Sequence, residues 1–281
     1  ALQQGLDVTA GEIHGIAQRG GVVESSVLLG GWKSPRLGHG EADIMLHLCT
    51  PSAGNLSVLA KYGLKSKKRF PNLDLLHRLE GVLWGRADEA LYILKEAFSK
   101  EILNPATAGP VSTAKGMAMA EIVDVGFPEG TPEREIYFLL LDGLRCLNRG
   151  DPPWLMSFFL LRVLQQLGLL PSLFRCARCG RALGEVITED RVFFYDRELG
   201  VLCRERECTP ASQPLSSWAL RFLQRCSATS HIPTSTKPMR APQRCRETER
   251  LLLWILEGYL DKKLKSFYVL DELESSLMNG G

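Results

Sequence analysis

Apolar and polar residues alternate along the first third of the chain, and from about residue 131 the apolar ones recur every three or four positions instead. The segment VESSVLLGGW, 23–32, is rich in β-forming residues. ADIMLHLCT, 42–50, alternates, with Ile44, Leu46 and Leu48 on one face. NLSVLAKYG follows the turn signal Pro51-Ser-Ala-Gly54. A fourth run, LDLLHRLEGVLWGRA, has Leu73, Leu75 and Leu79 in phase. The fifth, ALYILKEAFSKEI, has helical propensity, but its short separation from the fourth favours a hairpin. Five short strands within residues 22–103 predict a small closed barrel, of which the OB-fold is the commonest five-stranded kind.

The stretch 104–114 is rich in Pro, Gly, Ala and Thr and reads as a linker. Thr131-Pro132 then opens a helix whose Ile136, Leu140, Leu144 and Leu147 share a face and which Gly150 ends. The next helix, DPPWLMSFFLLRVLQQLGLL, is apolar nearly all round and closes at Gly168, the pattern of a buried central helix. SSWALRFLQR and ETERLLLWILEGYLDKKL predict two more helices, separated by the polar, proline-rich loop SATSHIPTSTKPMRAPQR. The resulting architecture is α+β and multi-domain. The expected division is a flexible leader at 1–21, an OB-fold domain at 22–103, and a helical domain at 104–281 with a cysteine module at 176–208.

The cysteines change the picture most. Cys176 and Cys179 stand two residues apart in CARCG, and Cys203 and Cys208 enclose four residues in LCRERECTP. Between the pairs lie a strand-like VFFYD and a turn at Gly200. Two pairs so placed suit one tetrahedral ion, and Zn²⁺ fits four thiolates without redox chemistry. Four protein ligands leave no open position for water, so the expected ion is a structural staple. Free thiols, or a redox pair at Cys176, are the other reading of the same residues. Cys49, Cys146, Cys226 and Cys245 are scattered and read as small apolar residues or idle thiols.

Charge adds a second feature. The net charge of 281 residues is only +2, so any anionic partner must be met by a local patch. Lys61, Lys65, Lys67, Lys68 and Arg69 fall within nine residues that contain no acid, between the third and fourth strands. Such a run meets a phosphate backbone with little regard for sequence. Tyr62 and Phe70 flank it and could stack on bases. Lys33 and Arg36 could extend the patch. On composition alone a solvated charged loop is the favoured reading. A C-terminal basic group, Lys237, Arg240, Arg244, Arg246, Arg250, Lys262, Lys263 and Lys265, reads as a surface loop and a helix end.

An apolar content of 45% and a charged content of 23% are ordinary for a folded chain with an ample core. Eight cysteines in a chain this long need not be a disulfide framework, and the first twenty residues lack the apolar stretch of a secretory signal. The compartment expected is the reducing cytoplasm. His39, near Glu41 and Asp43, is a lone histidine in a Gly-flanked turn, and His47 and Cys49 alternate on one strand face. GGWKS lacks the spacing of a phosphate loop. HExxH, GxSxG and GxGxxG do not occur, and nothing assembles a nucleophile, a base and an oxyanion site.

Several segments, taken in order, resemble the bacterial RecO family of recombination mediators. SVLAKYGLKSKKRFPNLDLL is similar to that family's third strand and basic crossover, and FFLLRVLQQLGLLPSLFRCARCG to the helix that runs into the first cysteine pair. DRELGVLCRERECTP resembles the return to the second pair, and LDKKLKSFYVLDEL the C-terminal signature. The chain departs from the family in an insertion, GGWKSPRLGHGEAD, and in its widened second pair. The resemblance implies a non-enzymatic bacterial, nucleoid-associated protein. Such a protein binds single- and double-stranded DNA, anneals complementary strands and works with RecR. It contacts the single-stranded DNA-binding protein and so helps load RecA. Lys61, Lys65, Lys67, Lys68 and Arg69 are carried over as DNA contacts, and Cys176, Cys179, Cys203 and Cys208 as metal ligands. A groove rimmed by arginine, with Arg162 a candidate, would receive an acidic peptide tail. The rival readings are a zinc-ribbon nuclease or CxxC redox enzyme, and a scaffold that binds only proteins; dispersed carboxylates weigh against the nuclease.

Overall fold

Alternation along the first third of the chain becomes a closed sheet. A computed structural model describes residues 22–33, 42–85, 91–170, 172–184, 192–196, 200–203, 213–229, 232 and 242–279. The strands β1 (Val22–Lys33), β2 (Ile44–Thr50), β3 (Gly54–Ala60), β4 (His77–Trp84) and β5 (Tyr92–Ile102) close in the order β1-β2-β3-β5-β4, with β1 pairing back onto β4. All pairs are antiparallel except β3 with β5. That is the barrel expected from the sequence. Its interior holds Leu28, Leu46, Leu48, Val58, Leu79, Leu83 and Leu94, with Ile44, Leu73 and Leu75 packed at the margin. Inward residues alternate with outward ones because successive strand side chains point to opposite faces. Gly54, the first residue of β3, has φ +67°, and a Cβ there would lie 1.9 Å from the carbonyl oxygen of Thr131.

Two compact units divide the chain, Ala1–Gly150 with Leu264–Gly281, and Asp151–Lys263. The expected division at 103/104 is thus not where the compact units part. Helices that follow the barrel stay with it. The expected linker at 104–114 is a short 3-10 helix, Pro105–Ala108, and the start of α1 (Pro110–Gly126). Helix α1 lies against β1, β2, α2 (Arg134–Gly150) and α6 (Lys265–Asn279). Burial on several sides removes the one-sided periodicity by which a surface helix is read. Gly116 lets it approach closely: a Cβ there would meet Leu76 at 3.0 Å and Leu144 and Pro105 at 3.3 Å.

Polar side chains close the helix ends of this unit. The buried Asn55 amide donates to the carbonyls of Val123 at 2.7 Å and Phe127 at 3.1 Å, satisfying the last turn of α1. The Glu121 carboxylate accepts from the N–H groups of Lys265 at 3.0 Å and Ser266 at 2.7 Å, which fixes the start of α6. Arg145 of α2 donates to both oxygens of Glu101 on β5, at 2.8 and 2.7 Å. Helix α6 was not expected as a separate element, and α2 begins at Arg134 rather than at the expected Pro132.

In the second unit, α3 (Leu155–Gln166) buries nine of its twelve residues, as its continuous apolar run predicts. Its one buried hydroxyl, Ser157, donates to the Cys245 carbonyl at 2.9 Å. It ends at Gly168, φ +70°, where Leu169 N–H reaches Leu164 O at 2.8 Å and Gly168 N–H reaches Gln165 O at 3.0 Å. The helix packs against α4 (Ser217–Ser227) and α5 (Pro242–Leu260). A three-stranded sheet, ordered β7-β6-β8, comprises β6 (Val192–Asp196), β7 (Gly200–Leu202) and β8 (Gln213–Ser216). Strand β8 lies outside the sequence expectation, and Pro242–Arg244 belong to α5 rather than to the expected loop.

Candidate nucleic-acid interface and metal-ligating cysteines

The basic run leaves β3 and folds into consecutive turns. Ser66 N–H reaches Tyr62 O at 2.9 Å, Arg69 N–H reaches Ser66 O at 3.1 Å, and Phe70 N–H reaches Ser66 O at 2.9 Å. Tyr62 takes φ +59°, and its N–H donates to the Asp43 carboxylate at 2.7 Å. Leu64 N–H donates to Ala42 O at 3.0 Å, and Ala97 N–H of β5 donates to Arg69 O at 3.0 Å. Both ends of the loop are therefore tied to the barrel. Lys61, Lys65, Lys67 and Lys68 all remain exposed on it.

Phe70, which follows the run, departs from the expectation, and Arg69 also has partners within the loop. Phe70 is only 3% exposed and belongs to the barrel core, so its ring is closed to a base; Tyr62 is 61% exposed. The correction has a physical cause: a phenyl ring at the barrel end gains more by burial than by standing in water. Arg69 braces the loop. Its Nε donates to Ser66 Oγ at 3.0 Å and its Nη2 to Lys61 O at 2.8 Å, and its guanidinium lies 5.1 Å from the Phe70 ring centre. Lys33 ends β1 opposite Ile44. Arg36 and His39 lie outside the described residues, as do the leader 1–21, Lys237 and Arg240.

Beside the loop, β4 and β5 carry exposed aromatic residues that the sequence reading passed over. Trp84 is 51% exposed and Phe98 44%. Lys95 Nζ lies 4.5 Å from the Trp84 ring centre. The signal was present in the phase of β4: Leu79 and Leu83 point inward, so Trp84 falls on the opposite face with Glu80 and Val82.

The first cysteine pair sits in a tight hairpin. Cys176 N–H donates to Arg181 O at 2.8 Å and Leu183 N–H to Phe174 O at 2.9 Å. Gly180 N–H reaches Cys176 O at 2.9 Å, and Gly180 takes φ +71°. Ala177 N–H donates to Val201 O at 2.9 Å, which joins the hairpin to β7 and brings Cys203 alongside. The Sγ atoms of Cys176, Cys179 and Cys203 all lie within 4.8 Å of one another, and Cys179 Sγ is 3.6 Å from Cys203 Sγ. That is far beyond a disulfide bond. It matches the sulfur–sulfur edge of a tetrahedron with metal–sulfur bonds of about 2.3 Å, roughly 3.8 Å. The three thiols therefore fit one tetrahedral ion. Cys208, the expected fourth ligand, lies outside the described residues.

The thiols differ in chemistry. Burial pushes the Cys176 thiol up, but N–H groups of Cys179, Cys203 and Arg178 and the Cys179 side chain outweigh it and bring it down to about 6. Cys203 N–H lies 3.4 Å from Cys176 Sγ. By contrast, burial pushes Cys49 and Cys226 up to about 12, as inert core thiols should be. Among the described residues, no other group of three His, Cys, Asp or Glu side chains stands close enough to hold an ion. His47 Nδ1 lies 2.7 Å from Asp124 Oδ1 and is not a member of such a group. Arg162, on α3, donates to Gln165 at 2.8 Å. Among the described residues no helix is long and apolar enough to cross a membrane.

Comparison with known proteins agrees with this geometry. The family described as "Recombination protein O C terminal" matches residues 110–267, more than half of the chain. "DNA repair protein RecO" of Koribacter versatilis is 28% identical over 238 residues, covering 83% of this chain and 93% of the relative. The protein of the same description from Syntrophobacter fumaroxidans is 29% identical over 265 residues, 85% and 94% of the two chains. That of Bacillus pumilus is 26% identical over 248 residues, 86% and 93%. With a five-stranded barrel followed by helices and a cysteine cluster, the chain belongs to the RecO family.

Proposed function

We propose that this protein grips DNA by the phosphate backbone with the lysines of its barrel loop. Membership of the RecO family places it among mediators of recombinational DNA repair. The finer reading is that it binds single- and double-stranded DNA, anneals complementary strands, and with RecR helps load RecA onto DNA coated by the single-stranded DNA-binding protein. One observation carries it: Lys61, Lys65, Lys67 and Lys68 are exposed on one acid-free loop whose backbone is pinned at Asp43, Ala42 and Ala97. Fixed ammonium groups release condensed counterions from a polyanion without reading its sequence. Held by their backbones, two strands keep their base edges free to pair. The chain performs no bond chemistry in this scheme. Arg69 braces the loop, and it, Lys33 and Arg36 would be further DNA contacts.

Cys176, Cys179, Cys203 and Cys208 would hold one Zn²⁺ as a structural ion. The chemistry the ion would supply is cross-linking, with Cys176 and Cys179 of the hairpin and Cys203 after the return strand as its ligands. Arg162 remains the candidate rim of a groove for an acidic peptide. The test of DNA binding is a salt titration of oligonucleotide affinity. Four lysine–phosphate contacts predict a log–log slope of about −3 on single strands. A slope near zero would overturn the reading.

A further inference from the structure

The outer face of β4 and β5 carries a stripe that the lysine loop does not account for. Glu80, Val82 and Trp84 share one face of β4, and the strand register sets Phe98 opposite Glu80 and Glu96 opposite Val82. Trp84 thus stands about 13 Å along the strand from the Glu80–Phe98 pair, at roughly 3.3 Å per residue. Lys95 lies over the Trp84 ring, and Lys100 Nζ is 2.8 Å from Glu80, which neutralises that acid. Glu96 is the further acid on the stripe. The loop abuts this stripe, because the bond from Ala97 N–H to Arg69 O joins it to β5 between Lys95 and Phe98. Lys61 also follows directly on Ala60, whose β5 partner is Leu94, the neighbour of Lys95.

We propose that Trp84 and Phe98 form the stacking platform for unpaired bases, so that this site takes single-stranded nucleic acid, with phosphates on the lysine loop. The inference rests on the reading that the loop binds phosphates. Every base has a π-face, and exposed aromatic rings beside cations hold single strands with little regard for sequence. Bases in a duplex are already stacked on one another and cannot reach the rings. The lysines, in contrast, meet either form. The aromatic stripe therefore sets the preference for single strands, and the loop sets the general affinity. Stacking covers ring faces and leaves the hydrogen-bonding edges of the bases open, as strand annealing requires. The lysines interleaved with the rings favour a polyanion over an apolar protein partner.

The test uses the full chain, a fluorescein-labelled oligothymidylate and a duplex of equal length at low salt. Trp84→Leu and Phe98→Leu each lower oligothymidylate affinity on the order of 10-fold, and together on the order of 100-fold, with duplex affinity held within about twofold. Trp84→Phe keeps a ring and retains most of the affinity. Oligothymidylate quenches the tryptophan fluorescence of the native protein, and Trp84→Leu removes most of that quenching. Lys67→Ala with Lys68→Ala weakens both ligands alike. Unchanged oligothymidylate affinity in the doubly substituted protein, with native melting, overturns the proposal and leaves the stripe to a protein partner. Equal losses on duplex overturn it too. A native protein that binds neither ligand would instead sink the loop reading itself.

Discussion

The lysine loop and the cysteine hairpin are both short turns that present charged chemistry, and they are held by opposite means. The loop is fixed by the barrel. Its backbone is bonded to Asp43, Ala42 and Ala97, Arg69 clamps it from within, and Phe70 roots it in the core. Its four lysines are exposed, and of its charged side chains it is Arg69 that holds it. In the hairpin the reactive groups are themselves the structural ones. Three thiols, one of them with its pKa drawn down to about 6, converge within 4.8 Å. As thiolates they repel one another unless a cation lies between them. The first turn is thus held without its charges being neutralised, while the second would be held by the ion its thiols could bind.

The largest expected effect breaks this contrast at the metal side. Chelation of Zn²⁺, or Cys203→Ser, removes a cross-link that can contribute roughly 10 kcal/mol in small zinc modules. The hairpin and β7 should become open to protease while the barrel unit keeps its melting transition. Elemental analysis should find one zinc per chain; absence of zinc, or an unaltered proteolytic pattern after chelation, contradicts the staple.

On the barrel side, Phe70→Ala should cost about 3–5 kcal/mol of unfolding free energy, as for a buried phenyl ring. Tyr62→Ala, at an exposed ring beside the same lysines, should change it by about 0.5 kcal/mol or less. Urea denaturation separates the two. Arg69→Ala should fall between them, near 1–2 kcal/mol, because it leaves Ser66 Oγ and Lys61 O to water rather than burying them unpaired.

A smaller effect belongs to His47. Its hydrogen bond to Asp124 raises its pKa, against the lowering by burial, with the charges of Asp124 and Glu129 adding to the rise. A raised folded value means the stabilisation is fully present below the unfolded pKa of about 6.5. It is lost as pH rises through the folded value. The urea midpoint of the native protein should therefore fall by a small amount from about pH 6 to about pH 8, and His47→Asn should flatten that dependence.

Much of this was legible in the residues. β-forming residues, alternation, turn signals and short separations together located all five barrel strands. The unbroken apolar run of α3 identified a central helix, and the cysteine spacing located the hairpin. Helix α1 escaped because it is covered by the barrel, α2 and α6 and is built of small residues such as Gly116 and Ala118, so no polar face marks its period. The composition of 104–114 imitated a linker for the same reason. Phe70 looked like a member of a binding patch because sequence adjacency does not reveal which way a turn sends each side chain. Trp84 was legible in principle from its phase with Leu83, but an aromatic residue in a strand is more readily assigned to a core.

The central claim is that the barrel loop grips phosphates, and salt dependence of oligothymidylate binding tests it most directly. The account predicts a slope of log affinity against log salt of about −3, falling in magnitude by roughly 1 to 2 when Lys67 and Lys68 are both changed to Ala. A slope that the two substitutions leave unaltered would contradict it.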